Sequence, residues 1–154
     1  MNIDDTIYSP LTGKVVSLSE VNDPVFSQEM MGKGAAVIPT VGRVVAPCNA
    51  EVINVFRTLH AITIKADNGA EIIIHVGLDT VALDGKYYKS HVEDGERIKK
   101  GDLLLTFDLE KIKGEGYDVI TPIIVTNSAE YQRVEKLKND DVSGGDALIS
   151  LCYS

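Results

Sequence analysis

The sequence predicts an all-β fold, a flattened antiparallel β-sandwich or barrel with few short helices. Short β-branched runs recur between turn residues over 14–18, 35–38, 43–45, 51–56, 61–65, 72–76, 103–107 and 119–125. Glycine numbers 13, enough to punctuate so many strands. An Asn-Gly pair, Asn68-Gly69, stands between two of the most apolar runs, and that dipeptide is a strong hairpin signal. Short strands at this spacing argue for a sandwich or barrel rather than a parallel sheet crossed by helices.

Residues 14–18 follow Pro10-Leu11-Thr12-Gly13, and residues 51–56 follow Pro47-Cys48-Asn49-Ala50, so two Pro-led turns enter strands as an internal echo. Gly32-Lys33-Gly34 precedes the run at 35–38 and is too short to be a phosphate loop. Within residues 92–104, turns at Gly95 and Gly101 enclose a short Arg97-Ile98 stretch, a pattern similar to hammerhead-type biotinyl and lipoyl carrier domains, but the Met-Lys-Met that accepts biotin is absent. After the run at 103–107, a short helix opens with Asp108 as N-cap and stops before Gly114 or Gly116. Residues 1–138 form the expected domain. Past Asn139 the chain turns to Asp, Ser and Gly before a short apolar end, so 139–154 is expected to be a weakly ordered tail.

The hairpin gathers the reactive side chains. With Asn68-Gly69 as the whole loop, residue i faces residue 137 minus i, so Ile62 pairs with His75 and His60 with Gly77. His60 and His75 then share a face in diagonal register, their Cα atoms about 7–8 Å apart. Thr58 has the same parity as His60, so without a bulge its hydroxyl can bond an imidazole nitrogen and fix its tautomer. A slip of one residue would send one histidine to the other face.

Bulk properties narrow the chemistry. The chain has 154 residues, one domain's worth, and is long enough to bury a core without disulfides or metal. Two distant cysteines, Cys48 and Cys152, fit a reducing compartment. Polar, acidic residues 1–5 do not resemble a secretory signal, and no run is long enough to span a bilayer, so a cytoplasmic location without direct membrane insertion is expected. The net charge of −8 without a basic cluster disfavours nucleic acid and anionic membrane surfaces, leaving protein partners. Nucleotide-binding loops and a nucleophile elbow are absent, and no cofactor is expected.

Ile74-His75-Val76-Gly77-Leu78-Asp79-Thr80-Val81, with Thr58-Leu59-His60-Ala61 upstream, resembles the glucose-type enzyme IIA domains of the bacterial phosphoenolpyruvate-dependent sugar phosphotransferase system. The resemblance covers residues 7–131 and includes Asp23-Pro24-Val25-Phe26, Val45-Ala46-Pro47 and Thr121-Pro122-Ile123-Ile124-Val125. Ser9-Pro10-Leu11-Thr12-Gly13, Met30-Met31-Gly32-Lys33-Gly34 and Tyr117-Asp118-Val119-Ile120-Thr121-Pro122 are most similar to the A domains of β-glucoside, sucrose or trehalose permeases.

That resemblance implies a duplicated-hybrid-motif-like fold and a phosphoryl group carried on His75 Nε2. It further implies that His60 contacts the phosphoryl group and aids its onward transfer, that Thr58 orients His60, and that the Gly77 carbonyl holds His75 Nδ1–H. The donor would be the phosphohistidine of the phosphocarrier protein HPr, and the acceptor a cysteine of an enzyme IIB domain, free or fused with a IIC permease. Val25, Phe26, Met30, Met31, Phe56 and Ile73 match an apolar docking ring, and Asp23 and Asp79 match carboxylates that pair with an arginine of the carrier. Two other functions compete. His75 and Asp79 form an H-x-x-x-D of the kind zinc hydrolases use, but an H-x-H partner is lacking. A regulatory binding module, gated by the charge of the phosphoryl group, is compatible with the same site.

Overall fold

Fourteen short strands and two short helices make up the regular structure of residues 5–152 in the computed structural model, apart from three 3-10 turns. The first half of the chain forms β1 (Thr6–Tyr8), β2 (Gly13–Val16), α1 (Pro24–Ser27), β3 (Lys33–Pro39), β4 (Arg43–Val45), β5 (Ala50–Val55), β6 (Ala61–Ala66) and β7 (Glu71–His75). The second half forms β8 (Tyr88–Ser90), β9 (Arg97–Ile98), β10 (Leu103–Phe107), α2 (Leu109–Gly114), β11 (Thr121–Val125), β12 (Arg133–Lys136), β13 (Asp141–Val142) and β14 (Ala147–Cys152). Asp108 caps α2 by accepting from the Lys111 N–H, and Asp23 caps α1 by accepting from the Val25 N–H. No helix among the described residues is long and apolar enough to cross a membrane.

Eight strands build one antiparallel sheet in the order β13-β2-β3-β11-β7-β6-β5-β9, and two three-stranded sheets, β4-β10-β8 and β1-β14-β12, complete the fold. The order reads as two matching halves that meet between β11 and β7. In each half a Pro-led turn enters the second strand from the edge, β2 or β5. The echo extends to the turns after the edge strands, where the Lys99 N–H donates to Asp102 Oδ2 (2.8 Å) and the Ser143 N–H to Asp146 Oδ2 (2.9 Å).

The duplication corrects the expected tail. Residues 141–152 are not weakly ordered: β13 pairs with β2, and β14 lies between β1 and β12. Leu148, Ile149 and Leu151 are wholly buried. The Ser-Gly-Gly-Asp stretch is an Asp-capped turn, and the short apolar run after it fills a place in the core that β10 fills in the other half. Val142-Ser143-Gly144-Gly145-Asp146-Ala147-Leu148 parallels Ile98-Lys99-Lys100-Gly101-Asp102-Leu103-Leu104, a sequence signal for this strand. Of the last residues, 153–154 lie outside the described part.

At its centre the large sheet is covered on both faces. One face, with Ile62, Ile64, Ile72, Ile74 and Ile123, packs in the main core with Leu105 of β10 and Leu148 of β14. The opposite face, with Ala36, Ala61, Ile73 and Ile124, forms a smaller cluster with Phe26 of α1, Leu18, Val21, Leu78 and Ile120. β11 is therefore buried along its whole length, which explains why its sequence is apolar without alternation.

The hairpin register differs from the expected one. Lys65 pairs with Glu71, Ile62 with Ile74 and Ala61 with His75, so residue i faces residue 136 minus i. The loop has three residues, closed by the Ala66 N–H to the Ala70 carbonyl (2.8 Å) and the Gly69 N–H to the Ala66 carbonyl (2.9 Å). A two-residue turn of the expected type needs positive φ at both positions; here Gly69 alone supplies it, at 95°. Asn127, at the end of the neighbouring β11, fixes this choice by accepting from the Glu71 N–H and donating to the Gly69 carbonyl.

Because β14 completes the core, Leu148→Ala is expected to destabilise the protein by about 2–5 kcal/mol in chemical denaturation. A weakly ordered tail would leave the midpoint unchanged.

Candidate active site

β7 ends at His75, whose side chain emerges on the face of the smaller apolar cluster beside Ile73. Under the observed register, strand alternation alone would turn His60 towards the main core with Ile62. It does not, because His60 precedes β6 and belongs to the connection from β5. In that connection Leu59 has φ 61°, its N–H donates to the Phe56 carbonyl (2.7 Å), and the Phe56 N–H donates to the Ala61 carbonyl (3.0 Å). This left-handed step re-aims the histidine. The two imidazoles meet edge to face with centroids 4.8 Å apart, His75 lies against Phe26 at 5.1 Å, and His60 against Phe56 at 5.6 Å.

Each ring has one nitrogen engaged. Thr58 Oγ1 lies 2.7 Å from His60 Nδ1, and the Gly77 carbonyl oxygen lies 2.8 Å from His75 Nδ1. A carbonyl only accepts, so the His75 proton sits on Nδ1 and Nε2 keeps its lone pair. The backbones are linked as well, with the Val76 N–H donating to the His60 carbonyl (2.7 Å).

Both rings are held neutral at pH 7. Burial, reinforced by the proximity of His75, lowers the pKa of His60 from 6.5 to about 4. Burial also lowers that of His75, an effect partly offset by the Gly77 carbonyl and by the charges of Asp23 and Asp79. Asp23 is engaged as the cap of α1, whereas Asp79 is exposed, at φ 61°, and makes no side-chain cap bond.

The apolar residues divide into two roles. Val25 and Met30 are exposed, at 38% and 69%, on the segment that carries Phe26, against which His75 lies. Phe26 and Ile73 are buried in the smaller cluster, against which Met31 and Phe56 are partly buried, so these four mainly support the histidines from behind. Of the remaining candidates, His91 Nε2 bonds Thr106 Oγ1 (2.9 Å). Cys48, which is buried, and Cys152, which is half-buried, form no disulfide. Among the described residues, no group of three or more His, Cys, Asp or Glu side chains is placed to hold a metal ion, so the H-x-x-x-D of His75 and Asp79 has no further ligand.

Three groups at the site escaped sequence reading. Thr80 Oγ1 and the Tyr88 hydroxyl both donate to the Val76 carbonyl, at 2.7 and 2.9 Å, and the Leu78 N–H donates to the Asp118 carbonyl (2.9 Å). Thr80 stands within the recognised motif, but Tyr88 lies in a three-residue strand with no periodic signal, and a backbone carbonyl has no sequence signature.

The sequence and the fold both have counterparts among known proteins. The model of the phosphoenolpyruvate-dependent sugar phosphotransferase system EIIA 1 family matches residues 5–131. The glucose-specific EIIA component of Oceanobacillus iheyensis is 46% identical over 94% of this chain and 87% of its own length. The β-glucoside-specific EIIBCA component of Bacillus subtilis is 48% identical over 96% of this chain, which spans only 24% of that larger protein. Among solved structures, glucose permease IIA from Mycoplasma capricolum superposes with a TM-score of 0.89 at 34% identity, covering 96% of each chain. Sequence and fold agree, and the chain belongs to the EIIA 1 family of the phosphoenolpyruvate-dependent sugar phosphotransferase system.

Proposed function

We infer that this protein is a phosphoryl carrier for sugar uptake, with His75 as the residue that bears the group. The observation that carries this reading is the neutral imidazole of His75, its Nδ1–H tied to the Gly77 carbonyl and a second imidazole 4.8 Å away. In the first step the Nε2 lone pair attacks phosphorus as the bond to the donor's histidine nitrogen breaks, and that nitrogen leaves with the electron pair. The attacking ring gains positive charge, which the Gly77 carbonyl and the carboxylates of Asp23 and Asp79 counter. In the second step a thiolate attacks phosphorus, and the P–N bond electrons return to Nε2.

Such transfers have loose transition states, so alignment and charge dispersal matter more than covalent assistance. With the Thr58 hydroxyl donating to Nδ1, His60 keeps its proton on Nε2 and donates it to a phosphoryl oxygen. The donor is the phosphohistidine of HPr, itself charged from phosphoenolpyruvate, and the acceptor is a cysteine of an enzyme IIB domain, free or joined to a IIC permease. EIIBCA names among the relatives support the IIB partner, and both exchanges belong to the cytoplasm. The names of those relatives also point to glucose or a β-glucoside as the sugar, whose choice rests with the permease. Val25 and Met30 give the two partners a shared apolar contact, a use to which flexible methionine is suited.

Incubation with phosphoenolpyruvate, enzyme I and HPr is expected to label the chain in an acid-labile, base-stable form; a label that survives His75→Ala would remove His75 from this role. His60→Gln is expected to accept phosphate but to pass it to IIB about a hundredfold more slowly, the scale of one lost donor at a charged transition state. Equal transfer rates would exclude His60.

The histidine pKa values also set a pH dependence. Unfolded histidines bind protons below about pH 6.5, whereas folded His60 does so only near 4, so stability falls as pH drops through this window. The His60 contribution is on the order of 3 kcal/mol at full development. Thermal melts between pH 7 and 4 should show this slope in the wild type and a flatter one in His60→Gln.

A further inference from the structure

The orientation of one glycine carbonyl decides which nitrogen of His75 is free, yet glycine is the residue least able to orient itself. Gly77 has φ 90°, and nothing in its own sterics selects the direction of its carbonyl. The restraint comes from the peptides on either side. After Gly77, the Leu78 N–H is bound by the Asp118 carbonyl. Before it, the Val76 carbonyl lies beyond the end of β7, buried, and receives both Thr80 Oγ1 (2.7 Å) and the Tyr88 hydroxyl (2.9 Å). Two donors fill both lone pairs of that oxygen.

We propose that Thr80 and Tyr88 are positioning residues for phosphoryl uptake: their hydroxyls together anchor the Val76–Gly77 peptide and so hold the following carbonyl, that of Gly77, on His75 Nδ1. Two further observations support the clamp. Thr80 is wholly buried and packs so closely on Gly77 that a Cβ there would meet Thr80 Cγ2 at 2.5 Å and the Asp118 carbonyl oxygen at 3.1 Å, which leaves the Gly77 backbone little room to shift. Tyr88 reaches Val76 from β8, in a different sheet, and its ring stacks on Phe107 with centroids 6.1 Å apart. A donor delivered from that sheet fixes the histidine loop relative to the whole sandwich. Burial raises the Tyr88 phenol to about pKa 12, so it remains a donor at any working pH.

A purely structural role would have the hydroxyls satisfy a buried carbonyl and do nothing for His75. The two roles separate in the imidazole tautomer, read from two-bond 1H–15N spectra of the 15N-labelled, unphosphorylated chain. The wild type is expected to show His75 as the Nδ1–H form. Tyr88→Phe and Thr80→Val should each gain an Nε2–H population, and Thr80→Ser, which restores the hydroxyl, should recover the form lost in Thr80→Val. In phosphorylation by phospho-HPr, Tyr88→Phe should lower kcat about fivefold, the weight of one hydrogen bond, with KM for the carrier unchanged. An unshifted tautomer in both Tyr88→Phe and Thr80→Val overturns the proposal, and so does an unchanged kcat beside a shifted tautomer. The kinetic arm rests on the carrier reading and the spectroscopic arm does not. A wild-type chain that takes no phosphate from phospho-HPr therefore overturns that reading, and with it the assignment to uptake, while the spectra still decide whether the hydroxyls set the tautomer.

Discussion

A hydrogen bond of 2.8 Å from His75 Nδ1 to the Gly77 carbonyl, two residues along the same chain, is the contact on which the site's chemistry depends. It selects the tautomer that leaves Nε2 free, and a nucleophile needs no further activation when the imidazole is neutral. The contact is local in sequence but not in origin. It requires β7 to stop at His75, Gly77 to turn with positive φ, and neighbouring groups from Thr80, Tyr88 and Asp118 to hold the loop.

The large sheet serves the site by being buried on both faces at its centre, along β11 and β7. One face builds the main core, while the other carries a smaller cluster in which Phe26, Ile73 and Leu78 surround the base of the histidine pair. That cluster removes the rings from water far enough to keep both neutral, while Val25 and Met30, on the segment that carries Phe26, stay exposed. His60 is itself buried, at 3% exposure, while His75 is partly exposed, so His75 is the ring of the pair that is open to a partner.

Two departures from the expected hairpin offset one another. The Asp67-Asn68-Gly69 loop shifts the register by one residue, which by alternation would separate the histidines. The left-handed Leu59 in the β5–β6 connection turns His60 back to the face of His75. Neither was legible in advance. A type I′ loop and a three-residue bulged loop share the same Asn-Gly signature, and the bonds from Asn127 that accompany the bulged form come from a residue 58 positions away from Gly69. Likewise the one sequence signal for β14, the parallel between residues 142–148 and 98–104, is short and rests on turn residues that also mark a loose tail, and the place of the strand between β1 and β12 decides between the two.

What the sequence determined by itself was part of the short-range chemistry: many short β-branched strands, the Asp108 cap of the one longer helix, and Thr58 beside His60, with the Gly77 partner of His75 supplied by the family motif. Those interactions span a few residues and depend on residue type, so they are written locally. The tertiary structure alone decided the hairpin register, the burial of Phe26 and Ile73 behind the site, and the joint grip of Thr80 and Tyr88 on Val76. These depend on which strands become neighbours, and that is settled by how both faces of a sheet are covered, a property of the whole chain.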